Sequence, residues 1–281
     1  MGQVPKGLAL VANGAIGDGL LILPRKKYVL VLMVIAVLSI ALFLWSVVPK
    51  DQASHITSSQ AVQLFEQRLD SGPQSPAVEG QWPELGVYRY ETHGHESIDT
   101  RLLDASHDYG GVSTVTLWPT RCGMAERWQV LATRWTEWET CGAEEGKLSS
   151  LREFHQFFGV TQEDSFDCSG LSAVSVAKDP PRRPTVEVCR SSATVVASRL
   201  QAPRAVRMEV AGEEVAAVRI EGTTTAAGES VGSVKFSEWR RRSDGLLLRR
   251  TSSRAIDSSA NGGFHYEEGY SIELLSLSPE R

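Results

Sequence analysis

The strongest pattern in the chain is an uninterrupted apolar run near the N-terminus. Residues 28–48 read YVLVLMVIAVLSIALFLWSVV and include no charged residue. A helix of this length covers roughly 30 Å, the thickness of a bilayer's hydrocarbon core. The run therefore predicts a transmembrane helix over residues 28–48.

Basic residues flank this run on its N-terminal side. Arg25, Lys26 and Lys27 precede it, whereas Lys50 and Asp51 follow it. Because positive charge stays on the cytoplasmic side, residues 1–27 are predicted to form a cytoplasmic tail, with the chain outside the cell membrane from residue 49. A cleaved signal peptide is the alternative. Its apolar segment is usually about 7–15 residues long and ends in a small-x-small site, so the longer run favours a single-pass signal-anchor.

Between the anchor and the remaining chain the pattern is polar, with one short helical stripe. Residues 49–80 are predicted to be a linker that contains a helix over 58–70, because apolar positions recur there at helical spacing. These positions are Val62, Leu64, Phe65 and Leu69.

From residue 81 onward, apolar and polar residues alternate in short runs, which is typical of antiparallel strands. Clusters of Gly, Pro, Asp and Ser separate the runs, and residues 179–184 are predicted to be a loop. The clearest runs are 87–92, 112–118, 185–188, 205–210 and 215–221. We therefore expect residues 81–281 to form one extracytoplasmic β-rich domain of the α+β class, mainly antiparallel β.

Two segments carry a helical spacing inside this β-rich region. In residues 147–158 the apolar side chains fall near one helical stripe, which predicts a second helix. In residues 127–141 the spacing of Trp128, Trp135 and Trp138 fits a helix, yet the density of Trp, Val and Thr favours strands. We favour a strand hairpin over 127–141.

Four cysteines follow the predicted anchor, namely Cys122, Cys141, Cys168 and Cys189. An even number of cysteines outside the cell favours two disulfides, and four cysteines allow three pairings. Near neighbours in sequence often bracket hairpins, which favours Cys122–Cys141 and Cys168–Cys189. The first pair excludes a helix over 127–141, since that helix would separate positions 122 and 141 by about 28 Å. Zinc has no Cys-x-x-Cys support, and no cofactor is expected.

A polar cluster on one predicted strand has metal-binding residue types. Glu91, His93 and His95 alternate, so they would share one face of a strand. Two imidazoles and a carboxylate could hold zinc, and His107 could add a fourth ligand. The alternative is an exposed polar strand edge.

A basic patch stands out because the chain is acidic, with a formal net charge of −5. That charge argues against a nucleic-acid partner. The patch comprises Trp239, Arg240, Arg242, Arg249 and Arg250. It could bind a phosphate or carboxylate of an envelope lipid or glycan, or it could be a solvated strand face. A two-residue turn at Asp244-Gly245 would place Trp239 opposite Arg250 and Arg240 opposite Arg249.

The same region carries a family resemblance. The sequence GESVG at 228–232, the pair Glu238-Trp239 and the sequence DGLLLR at 244–249 resemble the outer-envelope lipoprotein-carrier family. This resemblance implies a curved sheet or half-barrel over about 80–281, with one or two helices on its concave side and acyl chains held between them. The outer region is also similar to single-pass membrane proteins of actinobacteria with paired cysteines and Trp-rich strands. The carriers have a lipobox cysteine, which this chain replaces with a transmembrane anchor.

These observations favour a membrane-anchored binding module for an envelope lipid or glycan, without catalysis. The sequence lacks a G-x-S-x-G elbow and any catalytic triad spacing. A protein–protein interaction module of an envelope or division complex is the alternative. A large apolar cavity would favour the first function, and a filled sheet with an exposed aromatic patch would favour the second.

Overall fold

The computed structural model describes residues 33–35, 37–39, 53–71, 82–142 and 146–281. The chain divides into two compact units, Met1–Pro49 and Lys50–Arg281. In the first unit, residues 33–35 and 37–39 are helical and expose apolar side chains. The rest of the predicted membrane segment 28–48 and the tail 1–27 lie outside the described residues. Within the part of the chain that is described, no helix is long and apolar enough to cross a membrane.

The second unit is mainly antiparallel β-structure with few helices. Its helices are α1 (Ser58–Ser71), α2 (Ala173–Lys178) and a 3₁₀ turn (Ala260–Gly262). The first seven strands are β1 (Gly86–Thr100), β2 (Asp104–Asp108), β3 (Gly111–Pro119), β4 (Gly123–Leu131), β5 (Arg134–Cys141), β6 (Lys147–Phe157) and β7 (Val160–Ser169). The other seven are β8 (Thr185–Arg190), β9 (Thr194–Leu200), β10 (Arg204–Val210), β11 (Glu213–Gly228), β12 (Ser230–Arg241), β13 (Leu247–Ser258) and β14 (Phe264–Leu274).

Twelve of these strands close into a barrel. Neighbouring strands in sequence pair from β3 to β9 and from β11 to β14, and β3 also pairs with β1. The ring is completed by β9 with β11, and by β14 with β1 from Tyr90↔Leu274 to Thr100↔Phe264. The short strands β2 and β10 each pair with one half of a long strand, β1 and β11 respectively.

The expectation of a mainly antiparallel β domain is therefore confirmed, whereas the half-open sheet is wrong in detail. The sheet closes because β11 is 16 residues long and serves two partners on one side. Its first half pairs with β10 and its second half, from Gly222 to Gly228, pairs with β9. Paired edges satisfy the backbone groups that an open half-barrel would leave to solvent.

Alternation along each strand divides the side chains between the barrel interior and its outer surface. In β14, Tyr266, Glu268 and Tyr270 are buried, while the intervening residues are partly or fully exposed. One part of the interior is filled by an aromatic core. Trp128 stacks on Tyr270 with ring centroids 4.3 Å apart, and Tyr109 packs edge-on against Trp128. This core packs the strands around it together. The rest of the barrel interior is not filled by these aromatic side chains and contains a cavity.

Helix α1 confirms the prediction over 58–70, but its position differs from the one that the family resemblance implies. Ala61 and Phe65 pack against Val87, Trp118 and Ala125. These three barrel residues alternate with buried interior residues of β1, β3 and β4, so α1 covers the outer face of the barrel and not the concave side. The apolar stripe of α1 thus stabilises the barrel from outside.

Residues 147–158, predicted as a second helix, instead form strand β6. The prediction is wrong because β6 is hydrogen-bonded on both sides, to β5 and β7. Its apolar residues serve two faces: Leu151 and Phe157 line the interior, and Phe154 stacks on Trp135 outside with centroids 5.5 Å apart. A strand with apolar residues on both faces mimics the spacing of an amphipathic helix.

The hairpin over 127–141 is confirmed as β4 and β5, and both favoured disulfides are present. Cys122 and Cys141 join the ends of this hairpin with Cα atoms 4.8 Å apart. Cys168 and Cys189 face each other across β7 and β8, with Cα atoms 4.0 Å apart. The strand arrangement brings each pair within the distance that a disulfide requires.

Candidate ligand-binding cavity

A cavity of about 400 Å³ occupies the barrel interior beside the aromatic core. Small-molecule sites typically measure about 300–1,000 Å³, so the cavity can hold an organic ligand. Much of the wall is apolar, with side chains supplied by β6, β7, β9, β12 and β13. These apolar residues include Leu151, Phe166, Val196, Val234, Phe236 and Ile256.

Helix α2 closes one end of the cavity. Ala173 and Val174 line the cavity, and Ser172 caps the helix by accepting a hydrogen bond from the Ser175 backbone N–H. The turn between β12 and β13 supports α2 from the other side. A Cβ placed on Gly245 would lie 2.6 Å from Val174 Cγ1, so only glycine permits this close contact. We refer to α2 and Ser172 as the floor.

The cavity opens away from the floor. Leu103 and Val160 line it, yet they are 43% and 60% exposed. Leu103 belongs to the turn between β1 and β2, and Val160 begins β7 after the turn at Phe158 and Gly159. These two turns therefore border an entrance, which is apolar like much of the wall.

A first group of buried charges lies on β4, β12 and β13. Both oxygens of Glu126 accept hydrogen bonds from Arg240, at 2.8 and 2.9 Å. Arg240 also donates to Glu238 at 2.7 Å, and Arg250 donates to the other oxygen of Glu238 at 2.6 Å. Burial alone would raise the pKa of Glu238, but Arg240 and Arg250 lower it below the usual value. The group is an ionised chain of alternating charge.

A second group of buried charges lies on β5, β6, β13 and β14. Arg254 donates to both oxygens of Glu153, at 2.5 and 3.1 Å. Arg134 donates to both oxygens of Glu268, at 2.7 and 3.0 Å. Burial would raise the pKa of Glu153, but Arg254 outweighs it and lowers the pKa to about 2. Paired and hydrogen-bonded charges of this kind are the form in which ionised groups persist in an interior.

Glu96 and the interior histidine His107 extend this second group. His107 Nδ1 lies 2.8 Å from Glu96 Oε1, and the Tyr266 hydroxyl donates to Glu96 Oε2 at 2.9 Å. His155 Nδ1 lies 3.6 Å from Glu96 Oε2. Burial opposes ionisation of Glu96, yet its hydrogen bond to His107 and the nearby His155 and Arg134 hold its pKa well below the usual range.

The cavity wall holds more carboxyl groups than guanidinium groups. Five carboxyl side chains line it, against three arginines, Arg240, Arg250 and Arg254. Each of these arginines contacts a carboxylate of the wall. Two carboxyl groups are left over, Asp164 and Glu187. The surplus is acidic, so the cavity differs from a simple anion site.

The two surplus carboxyl groups have different surroundings. Asp164 accepts a hydrogen bond from Gln162 Nε2 at 2.9 Å, and burial raises its pKa. Glu187 has neither an ion pair nor a side-chain hydrogen bond among the described residues. Burial raises the pKa of Glu187 to about 8, and Glu238 adds to this effect against the opposing influence of Arg240 and Arg250. Glu187 is therefore largely protonated at neutral pH.

The structure divides the predicted basic patch between the two faces of the sheet. Arg240 and Arg250 line the interior, where both are bound to carboxylates. Trp239 alternates with Arg240 and lies on the outer face, between the guanidinium groups of Arg219 and Arg249, at 5.1 and 5.2 Å from its ring centroid. Arg242 is exposed in the turn.

The strand register predicted around Asp244-Gly245 is wrong, although the hairpin itself is present. Trp239 pairs with Arg249 instead of Arg250, and Arg240 pairs with Leu247. A bulge between Trp239 and Arg240 shifts the register, and the loop is longer than the predicted two residues. No Arg240–Arg249 pair forms among the described strands, so these two guanidinium groups do not face each other across the hairpin.

The predicted metal residues lie on two faces of the sheet. His93 and Glu91 share the outer face of β1, with His93 Nε2 3.3 Å from Glu91 Oε1, and His95 is also exposed. His107, the proposed fourth ligand, points into the barrel at Glu96, so that part of the prediction is wrong.

In the described parts of the chain, one set of His, Cys, Asp and Glu side chains is close enough to share an ion. It consists of Cys122, Glu139 and Cys141. Its two sulfur atoms are joined in a disulfide, so neither is available as a thiolate ligand.

Sequence reasoning did not identify the interior carboxyl groups Glu126, Glu153, Glu187, Glu238 and Glu268. A charged residue in an alternating strand is normally read as solvent-facing. One usable signal was present in Glu238-Trp239-Arg240, where charged and aromatic residues alternate so that one of the two types must face inward.

Comparison with known proteins identifies no family for this chain. No protein-family model, no curated protein and no solved structure matches the chain.

Proposed function

We propose that the barrel is a binding module that takes the apolar chain of a lipid-like amphipathic molecule into its cavity. The observation that carries this proposal is the apolar cavity of about 400 Å³, bordered by the α2 floor and an exposed apolar entrance. Apolar walls with a few polar groups are typical of sites for such ligands. The wall favours a lipid over a glycan, because a glycan requires many free hydrogen-bonding groups.

Binding is proposed in preference to catalysis. Each arginine of the wall is paired with a carboxylate, as Arg240 is with Glu126 and Arg254 with Glu153. Such pairs compensate each other's charge and join the strands that carry them.

We further propose that residues 28–48 anchor this module in the cell membrane, with the barrel outside. The hydropathy of the run and the preceding basic cluster support this topology. The two disulfides in the second unit support an oxidising compartment. The membrane would then supply the lipid and would be the first partner of the module.

Native mass spectrometry of the purified full chain tests the proposed function. We expect a co-purified lipid adduct of one molecule per chain. Val196→Trp, which fills the cavity, should abolish the adduct. The matched control is Val195→Trp, because Val195 is the adjacent residue of β9 and faces outward; it should retain the adduct.

Three outcomes would contradict the proposal. Equal adducts in both variants would place the lipid outside the barrel, and a glycan adduct would change the ligand class. Recovery of a protein partner, with an unoccupied cavity in every preparation, would favour the interaction module instead.

A further inference from the structure

The deep end of the cavity contains a carboxyl group without a counter-ion. Glu187 lies near the floor, since a Cβ on Gly170, two residues before Ser172, would lie 2.9 Å from the Glu187 Cα atom. Its charged surroundings are Glu238 and Arg240 on β12 and Arg250 on β13. All three of these belong to the ionised chain that includes Glu126. Among the described residues, Glu187 is thus the deep carboxyl group that remains free to bind a ligand.

We propose that Glu187 binds a protonated amine at the head of the amphipathic ligand, with the apolar chain directed toward the entrance. This inference rests on the proposed function and names the class of its ligand. An ammonium group is the complement that the wall lacks, because five carboxyl groups face three arginines there. A carboxylate or phosphate head would be repelled by the ionised Glu238 and would find Arg240 and Arg250 already paired.

Binding of the amine should be coupled to loss of a proton from Glu187. In the empty cavity, burial keeps this group largely protonated at neutral pH, with a pKa of about 8. The ion pair forms only with the carboxylate, so the apparent affinity should increase as pH rises toward 8. It should decrease about tenfold for each pH unit below the pKa of Glu187, as linkage requires.

The test compares three probes with the same six-carbon chain: hexylamine, hexanol and hexanoate. Calorimetry is performed on the full chain in nanodiscs at pH 7. The signal from Val196→Trp nanodiscs is subtracted, because partition into the bilayer is the same in both samples. We expect hexylamine to bind about tenfold more tightly than hexanol, and hexanoate to bind more weakly than both.

Two variants show whether hexylamine binding depends on the Glu187 carboxylate itself or only on the total negative charge of the cavity. Glu187→Gln should weaken hexylamine binding about tenfold and leave hexanol binding within about threefold, because only the amine uses the carboxylate. Asp164→Asn is the matched control, as Asp164 lines the same cavity but has Gln162 as a partner. It should change hexylamine binding by less than about threefold.

Each result is decisive. Equal binding of hexylamine and hexanol, or unchanged hexylamine binding by Glu187→Gln, would overturn the amine site while the proposed lipid cavity stands. Failure of all three probes to bind above the Val196→Trp background would overturn both. From pH 7 to pH 6 the Kd of hexylamine should rise about tenfold in the native chain and stay constant in Glu187→Gln. A pH-independent Kd in the native chain would overturn the inference.

Discussion

Arg240 and Glu126 form a bidentate ion pair across the barrel interior, with N–O distances of 2.8 and 2.9 Å. Arg240 comes from β12 and Glu126 from β4, so the pair joins strands that are not neighbours in the sheet. Both side chains are almost fully buried. The pair is therefore a crosslink through the interior, and removal of either partner leaves a charge with fewer contacts.

Glu126→Gln should destabilise the fold by about 3–5 kcal/mol, because it leaves part of the Arg240 charge uncompensated in a buried site. Urea unfolding of the native chain and the variant measures this difference. Glu214→Gln is the control, since Glu214 pairs with Arg207 on the exposed surface, and it should cost about 0.5 kcal/mol or less. Similar losses in the two variants would contradict the crosslink.

The free energy of unfolding should decrease at low pH because Glu153 becomes protonated and loses its ion pair with Arg254. Its pKa is lowered to about 2 in the folded chain, from an unfolded value near 4.5, so its contribution is present above 4.5 and is lost as pH falls toward 2. The contribution is roughly 3 kcal/mol. The free energy of unfolding should therefore decrease more steeply from pH 5 to pH 3 in the native chain than in Glu153→Gln. Parallel curves would show that Arg254 does not hold this carboxylate.

Glu187 should have the opposite effect on stability. Its pKa is raised to about 8, so its destabilising contribution is absent below 4.5 and grows as pH rises toward 8. Glu187→Gln should stabilise the empty barrel at pH 7 by on the order of 1–3 kcal/mol. Thermal unfolding at pH 4.5 and pH 7 tests this, and the gain should vanish at the lower pH. A loss of stability at pH 7 would show that the carboxylate has a partner.

Alanine substitutions at two glycines with similar backbone angles distinguish the cost of a left-handed residue from the cost of disturbing the contact with α2. Gly245 and Gly212 have φ of +85° and +82°, but only Gly245 contacts α2, through Val174. Alanine at either position should cost about 1 kcal/mol from the left-handed conformation. Gly245→Ala should cost about 1–3 kcal/mol more, because its methyl group overlaps Val174. Equal losses in urea unfolding would show that α2 moves freely.

The Cys168–Cys189 bridge should stabilise the barrel beside the cavity. Replacing both cysteines with alanine should cost about 2–4 kcal/mol in urea unfolding, because the open chain gains conformational freedom. Non-reducing peptide mapping of the native chain should recover Cys168 with Cys189 and Cys122 with Cys141. Free thiols or exchanged pairs would contradict the compartment as well as the fold.

Cysteine labelling tests the predicted membrane topology. Ser54 is exposed, and the four native cysteines are in disulfides. Ser54→Cys should react with an impermeant maleimide on intact cells, or on spheroplasts where an outer barrier intervenes. Ala15→Cys, in the predicted tail, should react only after lysis. The reverse pattern would invert the topology.

Local sequence patterns were sufficient for much of the fold. Alternation located β1, β3, β8, β10 and β11, and the spacing of the cysteines supported the β4–β5 hairpin. Local patterns failed where two faces carried similar residues, as in β6, where Phe154 outside and Phe157 inside resemble a helical stripe. They also failed at the Trp239/Arg240 bulge, because one inserted residue shifts the register without any change in composition.

The cavity could not be predicted in the same way, because it depends on closure of the ring. Arg240 and Glu126 are 114 residues apart, and the local pattern around either residue does not identify the other as its partner. Only the pairing of distant strands turns both toward one interior. The acidic surplus at Glu187 is a property of that enclosed set of side chains, and no short segment contains it.

The pairing of β14 with β1 also constrains how the protein is made. Every other strand pairing in the barrel joins segments that are near in sequence, whereas Tyr90 pairs with Leu274 only after nearly the whole domain has been synthesised. During synthesis the edge of β1 that pairs with β14 is therefore exposed until the last strand is complete. We expect truncation before β14 to leave this edge open to chaperones and to self-association, so that quality control would recognise an incomplete chain by one unpaired strand.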